Sequence, residues 1–210
     1  MRKKMKLDKK GLLVVISGPS GVGKGTIRRA LFAMTGHDLV YSVSMTTRKP
    51  RCDEENGREY WFVTREEFER NIRDGEMLEY AEFINNYYGT PLQKVNEQLE
   101  MGKEVVLEIE VQGAQIVREK RPDAILIFIA PPSMQALYER LQTRGTETWD
   151  MINERIKKAE REINLAYMYD YIVVNDTVEN AADKIMAIIR AEHARVERTI
   201  SAYKEMLEVK

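Results

Sequence analysis

Residues 14–26 read Val14-Val15-Ile16-Ser17-Gly18-Pro19-Ser20-Gly21-Val22-Gly23-Lys24-Gly25-Thr26. An apolar run ends here in a glycine-rich turn, and glycine adopts backbone conformations that other residues resist. Successive N–H groups in such a turn converge on an anion, Lys24 adds a positive charge, and the helix that follows directs its N-terminal dipole at the same point. The spacing G-x-x-x-x-G-K therefore predicts a loop over residues 18–26 that binds nucleotide phosphates.

One position departs from this motif. Gly25 stands where the motif has Ser or Thr, whose hydroxyl binds magnesium, and Thr26 follows one place later. We therefore expect a bound magnesium ion to depend on phosphate oxygens, water, Thr26 and a carboxylate.

The composition is that of one α/β domain. The chain has 210 residues, 43% of them hydrophobic, and a net charge of -1, so no overall charge attracts nucleic acid or a membrane. A single cysteine, Cys52, excludes an internal disulfide, and two histidines are too few for the usual zinc sites. No apolar stretch approaches the length of a membrane span, about 18 residues. We expect a cytoplasmic protein that binds neither nucleic acid nor membrane.

Apolar runs that alternate with helical patterns predict a parallel sheet covered by helices. Buried strands are expected over residues 12–16, 105–110, 124–130 and 171–174. Helices are expected over residues 24–34, 91–101, 112–120, 152–167 and 178–207, with a further helix after Ser133. Acids at 108 and 110 end one strand, which is where a phosphate-loop protein places a carboxylate that faces magnesium.

Residues 37–90 have a different character. A strand over 39–44, short strands over 60–63 and 77–84, and a short helix over 65–74 replace the strand–helix–strand crossover. We interpret the segment as an inserted lobe with its own aromatic core. Two arginines around Pro50 predict a second phosphate site within it.

These segments resemble the guanylate kinase family, the nucleoside-monophosphate kinases that phosphorylate GMP. The resemblance covers most of the chain and rests on residues 18–24, 42–51, 56–60, 87–90, 111–113, 128–133 and 144–148. The phosphate loop alone identifies a superfamily, whereas the arginine and tyrosine segments in this order point to one family. The resemblance implies a P-loop three-layer α/β fold with a central parallel sheet, a small GMP-binding lobe and a helical lid.

The resemblance also implies how the chain is divided. We expect a single domain over residues 1–210, with a core of 11–36, 91–138 and 165–210. The GMP-binding lobe would be 37–90 and the lid about 139–164.

The expected acceptor site follows from the same resemblance. The guanine base would be bound by Ser44, Glu79, Thr90 and Glu110, and the GMP phosphate by Arg48, Arg51, Tyr60 and Tyr88. A carboxylate takes both guanine N–H donors and a hydroxyl serves O6, whereas adenine inverts that pattern.

The expected donor site uses the whole loop, Gly18, Pro19, Ser20, Gly21, Val22, Gly23, Lys24, Gly25 and Thr26, for ATP. The catalytic cations would be Lys24, Arg48, Arg140, Arg144 and Arg155. Magnesium would be held by Thr26 and Glu108, partly through water. Because Glu108 and Glu110 are longer than the aspartates common in the family, their division between magnesium and guanine is left open.

Two alternatives remain at this point. Some domains of this family bind phosphorylated protein partners without turnover, although such modules typically lack parts of the ATP site. An enzyme with another phosphorylated acceptor is the second alternative. A regulatory GTPase is disfavoured because the chain has no Asn-Lys-x-Asp segment. The preference for GMP over dGMP and the oligomeric state are left open.

Overall fold

The computed structural model describes residues 10–143, 148–200 and 204. The strands are β1 (Leu13–Ser17), β2 (Leu39–Tyr41), β3 (Met45–Thr46), β4 (Trp61–Phe62), β5 (Met77–Phe83), β6 (Asn86–Pro91), β7 (Glu104–Glu108), β8 (Ile125–Ala130) and β9 (Tyr171–Val174). The helices are α1 (Lys24–Ala33), α2 (Arg65–Arg73), α3 (Leu92–Glu100), α4 (Val111–Lys120), α5 (Met134–Thr143), α6 (Trp149–Ile163) and α7 (Val178–His193). A short 3-10 helix covers Ala166–Met168.

The central sheet is parallel and has the strand order β2-β7-β1-β8-β9. All five residues of β1 are buried. A strand covered on both faces reads as a nearly continuous apolar run, which is why residues 13–16, before the glycine-rich turn, predicted it. The expected α/β fold with a central parallel sheet is confirmed.

Helices cover both faces of this sheet and complete three layers. On one face, α1 and α7 pack together through buried aliphatic side chains, among them Ile27, Leu31, Ile185 and Ile189. On the other face, α3 and α4 contribute Val95, Leu99, Ala114 and Val117.

A second sheet, with the order β4-β3-β6-β5, forms a separate lobe. Strands β5 and β6 form an antiparallel hairpin, and Phe68 of α2 stacks on Tyr87 with ring centroids 5.2 Å apart. Residues 39–41, which the sequence placed in the lobe, instead form β2 and pair with β7 in the central sheet. The expected strand over 39–44 also ends early, at Tyr41.

The boundaries of the last two helices differ from expectation. Helix α6 begins at Trp149, because the Thr148 hydroxyl caps it by accepting a hydrogen bond from the Met151 N–H. It ends at Ile163, four residues before the expected end at Tyr167. Helix α7 ends at His193 and is capped at Ala194, so the expected single helix over 178–207 was wrong. A separate helical stretch covers residues 196–200.

Within residues 10–143 and 148–200, no helix has both the length and the apolar character needed to cross a membrane.

Candidate active site

The glycine-rich loop connects the buried end of β1 to α1. Gly18 has a φ of 143°, and a Cβ there would lie 2.3 Å from the carbonyl oxygen of Ile129 on β8. Gly23, with a φ of 98°, caps α1. Glycine is required at both positions because a side chain would be strained at either φ. At Gly18 a side chain would also collide with the neighbouring strand β8.

Lys24 turns back onto this loop. Its Nζ donates to the carbonyl oxygens of Gly18 at 2.6 Å and Pro19 at 3.1 Å. Burial lowers the pKa of Lys24, and the attraction of Glu108 partly offsets that effect. The ammonium group is therefore held among the loop carbonyls at the start of α1, where the helix dipole also favours an anion.

A cavity of about 730 Å³ adjoins one side of the loop. It is lined by Gly21, Gly23, Thr26, Ala136, Glu139, Arg140, Thr143, Asn175, Asp176, Thr177 and Val178. Asn175 Nδ2 donates to the Val22 carbonyl at 2.7 Å. Arg140 donates to the carbonyls of Val22 at 3.2 Å and Asn175 at 2.9 Å, which ties α5 to the loop.

A buried polar pair lies in the second lobe. The Thr90 hydroxyl donates to Glu79 Oε1 at 2.6 Å, and the two residues are 1% and 5% exposed. Burial raises the pKa of Glu79, although the hydrogen bond from Thr90 acts in the opposite direction. Its second oxygen, Oε2, faces Gly113 of α4, where a Cβ would lie only 2.8 Å away. Gly113 thus provides the space that the Glu79 carboxylate occupies.

The predicted phosphate-binding side chains form a cluster near the start of the lobe. Arg48 Nη2 donates to both oxygens of Glu54 at 2.8 Å, and its guanidinium carbon lies 5.5 Å from the Tyr60 ring centroid. The ring centroids of Tyr60 and Tyr88 are 5.9 Å apart. Arg51 adjoins this cluster through its main chain, whose N–H donates to Glu54 at 2.9 Å. Arg48, Tyr60 and Tyr88 are therefore brought together.

Ser44 is joined to β4, the strand that follows Tyr60. Ser44 lies directly before β3, and its carbonyl accepts a hydrogen bond from the Trp61 N–H at 2.8 Å.

The two acids at the end of β7 diverge. Glu108 Oε2 accepts a hydrogen bond from Arg28 Nε of α1 at 2.9 Å. Glu110 lies at the N-cap of α4 and pairs with Lys158 of α6 at 3.0 Å. One carboxylate thus faces the helix of the phosphate loop, and the other faces the predicted lid.

Helix α6 of the predicted lid borders a second cavity, of about 530 Å³. Its lining includes Ser20 of the loop, Phe83 of the lobe, Glu110, Arg155 and Lys158. Arg144 lies outside the described residues.

A family model described as guanylate kinase matches residues 10–192. The chain belongs to the guanylate kinase family. The guanylate kinase of Onion yellows phytoplasma is 58% identical over 205 residues, covering 97% of both chains. That of Bacillus subtilis is 53% identical over 203 residues, covering 97% of this chain and 100% of the relative.

A solved structure agrees with the sequence comparison. The crystal structure of guanylate kinase from Anaplasma phagocytophilum has a TM-score of 0.77 and 35% identity, and each chain is covered to 97%. The predicted family is therefore confirmed, and with it the activity: this chain is a nucleoside-monophosphate kinase, an ATP:GMP phosphotransferase.

Sequence patterns do not single out several residues that border this candidate site. Glu54 lies in a polar loop with no motif of its own, and Gly113 stands out only as part of residues 111–113, one of the segments that resemble the family. Asn175 follows the apolar run of β9, and a polar residue at the carboxyl end of a parallel strand was a usable signal. Lys158 carried no signal, because a lysine on a helix is usually solvated.

Gly113→Ala tests the space left for Glu79. A Cβ 2.8 Å from Oε2 displaces a carboxylate that Thr90 also holds, so we expect the KM for GMP to rise about tenfold. The KM for ATP and the circular dichroism spectrum serve as internal controls and should stay unchanged. An unchanged KM for GMP would show that the Glu79 carboxylate does not depend on this gap.

Proposed function

We propose that this guanylate kinase transfers the γ-phosphoryl group of ATP directly to a phosphate oxygen of GMP or dGMP, giving ADP and GDP or dGDP. The observation that carries the choice of guanine is the buried Glu79–Thr90 pair. Glu79 offers acceptors to the guanine N1–H and NH2 groups, and adenine would leave those acceptors unpaired. Glu110 and Ser44 are proposed to complete this base site.

The proposed acceptor phosphate site is the cluster of Arg48, Arg51, Tyr60 and Tyr88. Guanidinium and phenol groups supply the donors that a doubly charged monoester requires. Glu54 holds both oxygens of its carboxylate against Arg48, and that contact raises the pKa of Arg48. A guanidinium is always charged in proteins, and the contact with Glu54 orients that of Arg48 before the acceptor arrives.

The proposed donor site is the loop over residues 18–26. Its amides and Lys24 would bind the β- and γ-phosphates, and the nucleoside would extend along the cavity lined by Arg140 and Asn175. Loop amides and a lysine at a helix N-terminus stabilise charge that spreads onto the transferring group.

Transfer needs neither a covalent intermediate nor a dedicated general base. The second pKa of a phosphate monoester is about 6, so the acceptor is mostly dianionic near neutral pH. Arg48 would orient the acceptor oxygen, while Arg140, Arg144 and Arg155 of the lid side would neutralise the transferring group and exclude water. We propose that the GMP-binding lobe contains the second sheet and that the lid spans about residues 139–164.

The residues present fit magnesium. Gly25 leaves a gap beside the Glu108 carboxylate, since a Cβ there would be 3.4 Å from Oε1. Oxygen ligands, one or two of them carboxylates, are what magnesium takes in kinase sites. We propose Glu108 as the principal protein ligand, with Thr26 as the other candidate. Bound magnesium would neutralise charge on the β- and γ-phosphates. The cytoplasm is the compartment that we propose.

The test of the acceptor offers GMP, dGMP, AMP, CMP and UMP separately with Mg-ATP, and ADP release is coupled to a spectrophotometric readout. Turnover confined to GMP and dGMP is expected. Turnover with AMP alone would overturn the assignment of the base site. If no ADP were released with any of the five nucleotides, a binding module would be favoured.

The direct transfer is tested with ATP made chiral at the γ-phosphorus. One in-line displacement inverts the configuration, which is the expected result. Retention would reveal two displacements and a phosphorylated enzyme.

A further inference from the structure

The carboxylate of Glu108 lies against the one residue of the phosphate loop that departs from its motif. A Cβ at Gly25 would be 3.4 Å from Glu108 Oε1 and 3.8 Å from Oε2. The motif has a hydroxyl at this position. An oxygen of Glu108 is therefore already beside the space that a hydroxyl at residue 25 would take.

The orientation of this carboxylate is fixed from α1. Arg28 lies three residues after Gly25, close to one helical turn, and its Nε donates to Glu108 Oε2 at 2.9 Å. The Oε1 atom is left as the oxygen nearer to Gly25. Both side chains are partly buried, with exposures of 28% and 21%, so the charged hydrogen bond is partly shielded from water.

Arg28 is itself held in place. Its guanidinium carbon lies 4.2 Å from the ring centroid of Tyr41, within the range of a cation–π contact. Tyr41 ends β2, which pairs with β7, the strand that ends in Glu108. Adjacent strands thus support the two ends of the chain of contacts from Tyr41 through Arg28 to Glu108.

Thr26 does not occupy the same place. It lines the cavity that Arg140 and Asn175 border, and its hydroxyl accepts a hydrogen bond from Arg29 at 3.2 Å. The gap at Gly25 faces Glu108 instead.

We propose that Gly25 and Glu108 are a compensating pair, in which Glu108 supplies to magnesium the oxygen that the hydroxyl at residue 25 supplies in the usual motif. Arg28 is the positioning residue that holds this oxygen toward the gap, and Tyr41 holds Arg28. The inference rests on the proposed function, because the ion enters with ATP.

The test measures the metal without turnover. Mn²⁺ replaces magnesium, ADP is the nucleotide, and the free Mn²⁺ signal in electron paramagnetic resonance gives the metal affinity of the ternary complex. Glu108→Asp withdraws the carboxylate by one methylene, and Arg28→Met removes its positioning bond. Each should weaken Mn²⁺ binding by about tenfold or more, while ADP binding without metal stays unchanged.

The decisive variant combines Glu108→Asp with Gly25→Ser. The serine hydroxyl should restore most of the Mn²⁺ affinity that Glu108→Asp removes. Gly25→Ser alone should not tighten Mn²⁺ binding, because Glu108 already supplies the oxygen. Failure of the double variant to regain affinity, or Mn²⁺ binding within twofold of the starting protein in both Glu108→Asp and Arg28→Met, would overturn the proposal.

Arg65→Met is the matched control. Arg65 also joins a carboxylate, Glu69 at 3.0 Å, to a tyrosine ring, Tyr87 at 4.5 Å, but it lies in the lobe on α2. Its loss should leave Mn²⁺ binding unchanged. A failure of the proposed phosphoryl transfer would appear in the turnover assay with GMP. The Mn²⁺ binding measurements need no turnover, so they would still test the Gly25–Glu108 pair.

Discussion

Replacement of Lys24 by methionine is expected to lower kcat by about 10³-fold, with a smaller effect on the KM for GMP. The ammonium group is buried at the start of α1 and contacts the carbonyls of Gly18 and Pro19. In the transition state it would face the phosphate oxygens on which negative charge develops. Methionine keeps the length of the side chain and removes the charge, so kcat measured at saturating nucleotide reports the electrostatic contribution.

A surface lysine provides the control for this variant. Lys103 lies before β7 and pairs with Asp38 at 3.1 Å, so Lys103→Met should leave kcat unchanged. If Lys24→Met retained kcat within threefold of the starting protein, Lys24 would have no role in the transfer.

Glu79→Gln is expected to lower kcat/KM for GMP by about 10²-fold, since an amide replaces a charged acceptor that is buried opposite two donors. Glu82→Gln is the matched control, because it lies on the same strand, is exposed, and pairs with Arg65 at 3.1 Å. Equal kcat/KM values in the Glu79→Gln and Glu82→Gln variants would contradict the base site.

The pH dependence separates this role from a merely structural one. Burial raises the pKa of Glu79, so its carboxylate becomes protonated as the pH falls through values above those of an ordinary glutamate, about 4.3. The protonated form cannot accept both guanine donors. The kcat/KM advantage of the starting protein over Glu79→Gln should therefore shrink as the pH falls, and this comparison cancels the titration of the GMP phosphate, which both proteins share.

The raised pKa of Glu79 also predicts how this residue affects the stability of the folded state. A buried acid whose pKa is raised on folding favours the folded state only while it is protonated, and this contribution is lost as the pH rises through the shifted pKa. At neutral pH the buried charge of Glu79 thus costs stability. The Tm of Glu79→Gln without nucleotide should exceed that of the starting protein, whereas a variant that lost activity through misfolding would have a lower Tm.

The sequence predicted the central sheet because burial on both faces leaves an unmistakable pattern in β1 and β8. It could not predict β3 or β6 in the same way. Strand β6 contains Gly89 and Pro91, and its pairing with β5 and β3 depends on contacts that are distant in sequence. Helix α7 ends at His193 without a glycine or proline, so the continuing apolar stripe hid its end.

The residues of the candidate site also differ in whether local sequence predicts them. The motif residues Gly18 to Lys24 and the segment around Arg48 could be predicted because their residue types report a local conformation or charge. Their partners could not. Glu54 and Arg28 act through side-chain contacts made after folding, and nothing in the local spacing records those contacts. Asn175 differs, because its position directly after the apolar run of β9 is itself a signal.

The position of β1 in the sheet also bears on how the protein folds. Its partners are Val105 opposite Leu13 and Ile125 opposite Val14, and both lie about half a chain length away in sequence. Contacts of this separation incur loop-closure entropy before they contribute stability, and they slow folding. During synthesis, the first strand and its phosphate loop must therefore wait for β7 and β8 to leave the ribosome. The proposed donor site precedes β7 and β8 in the sequence and becomes complete among the later steps of folding.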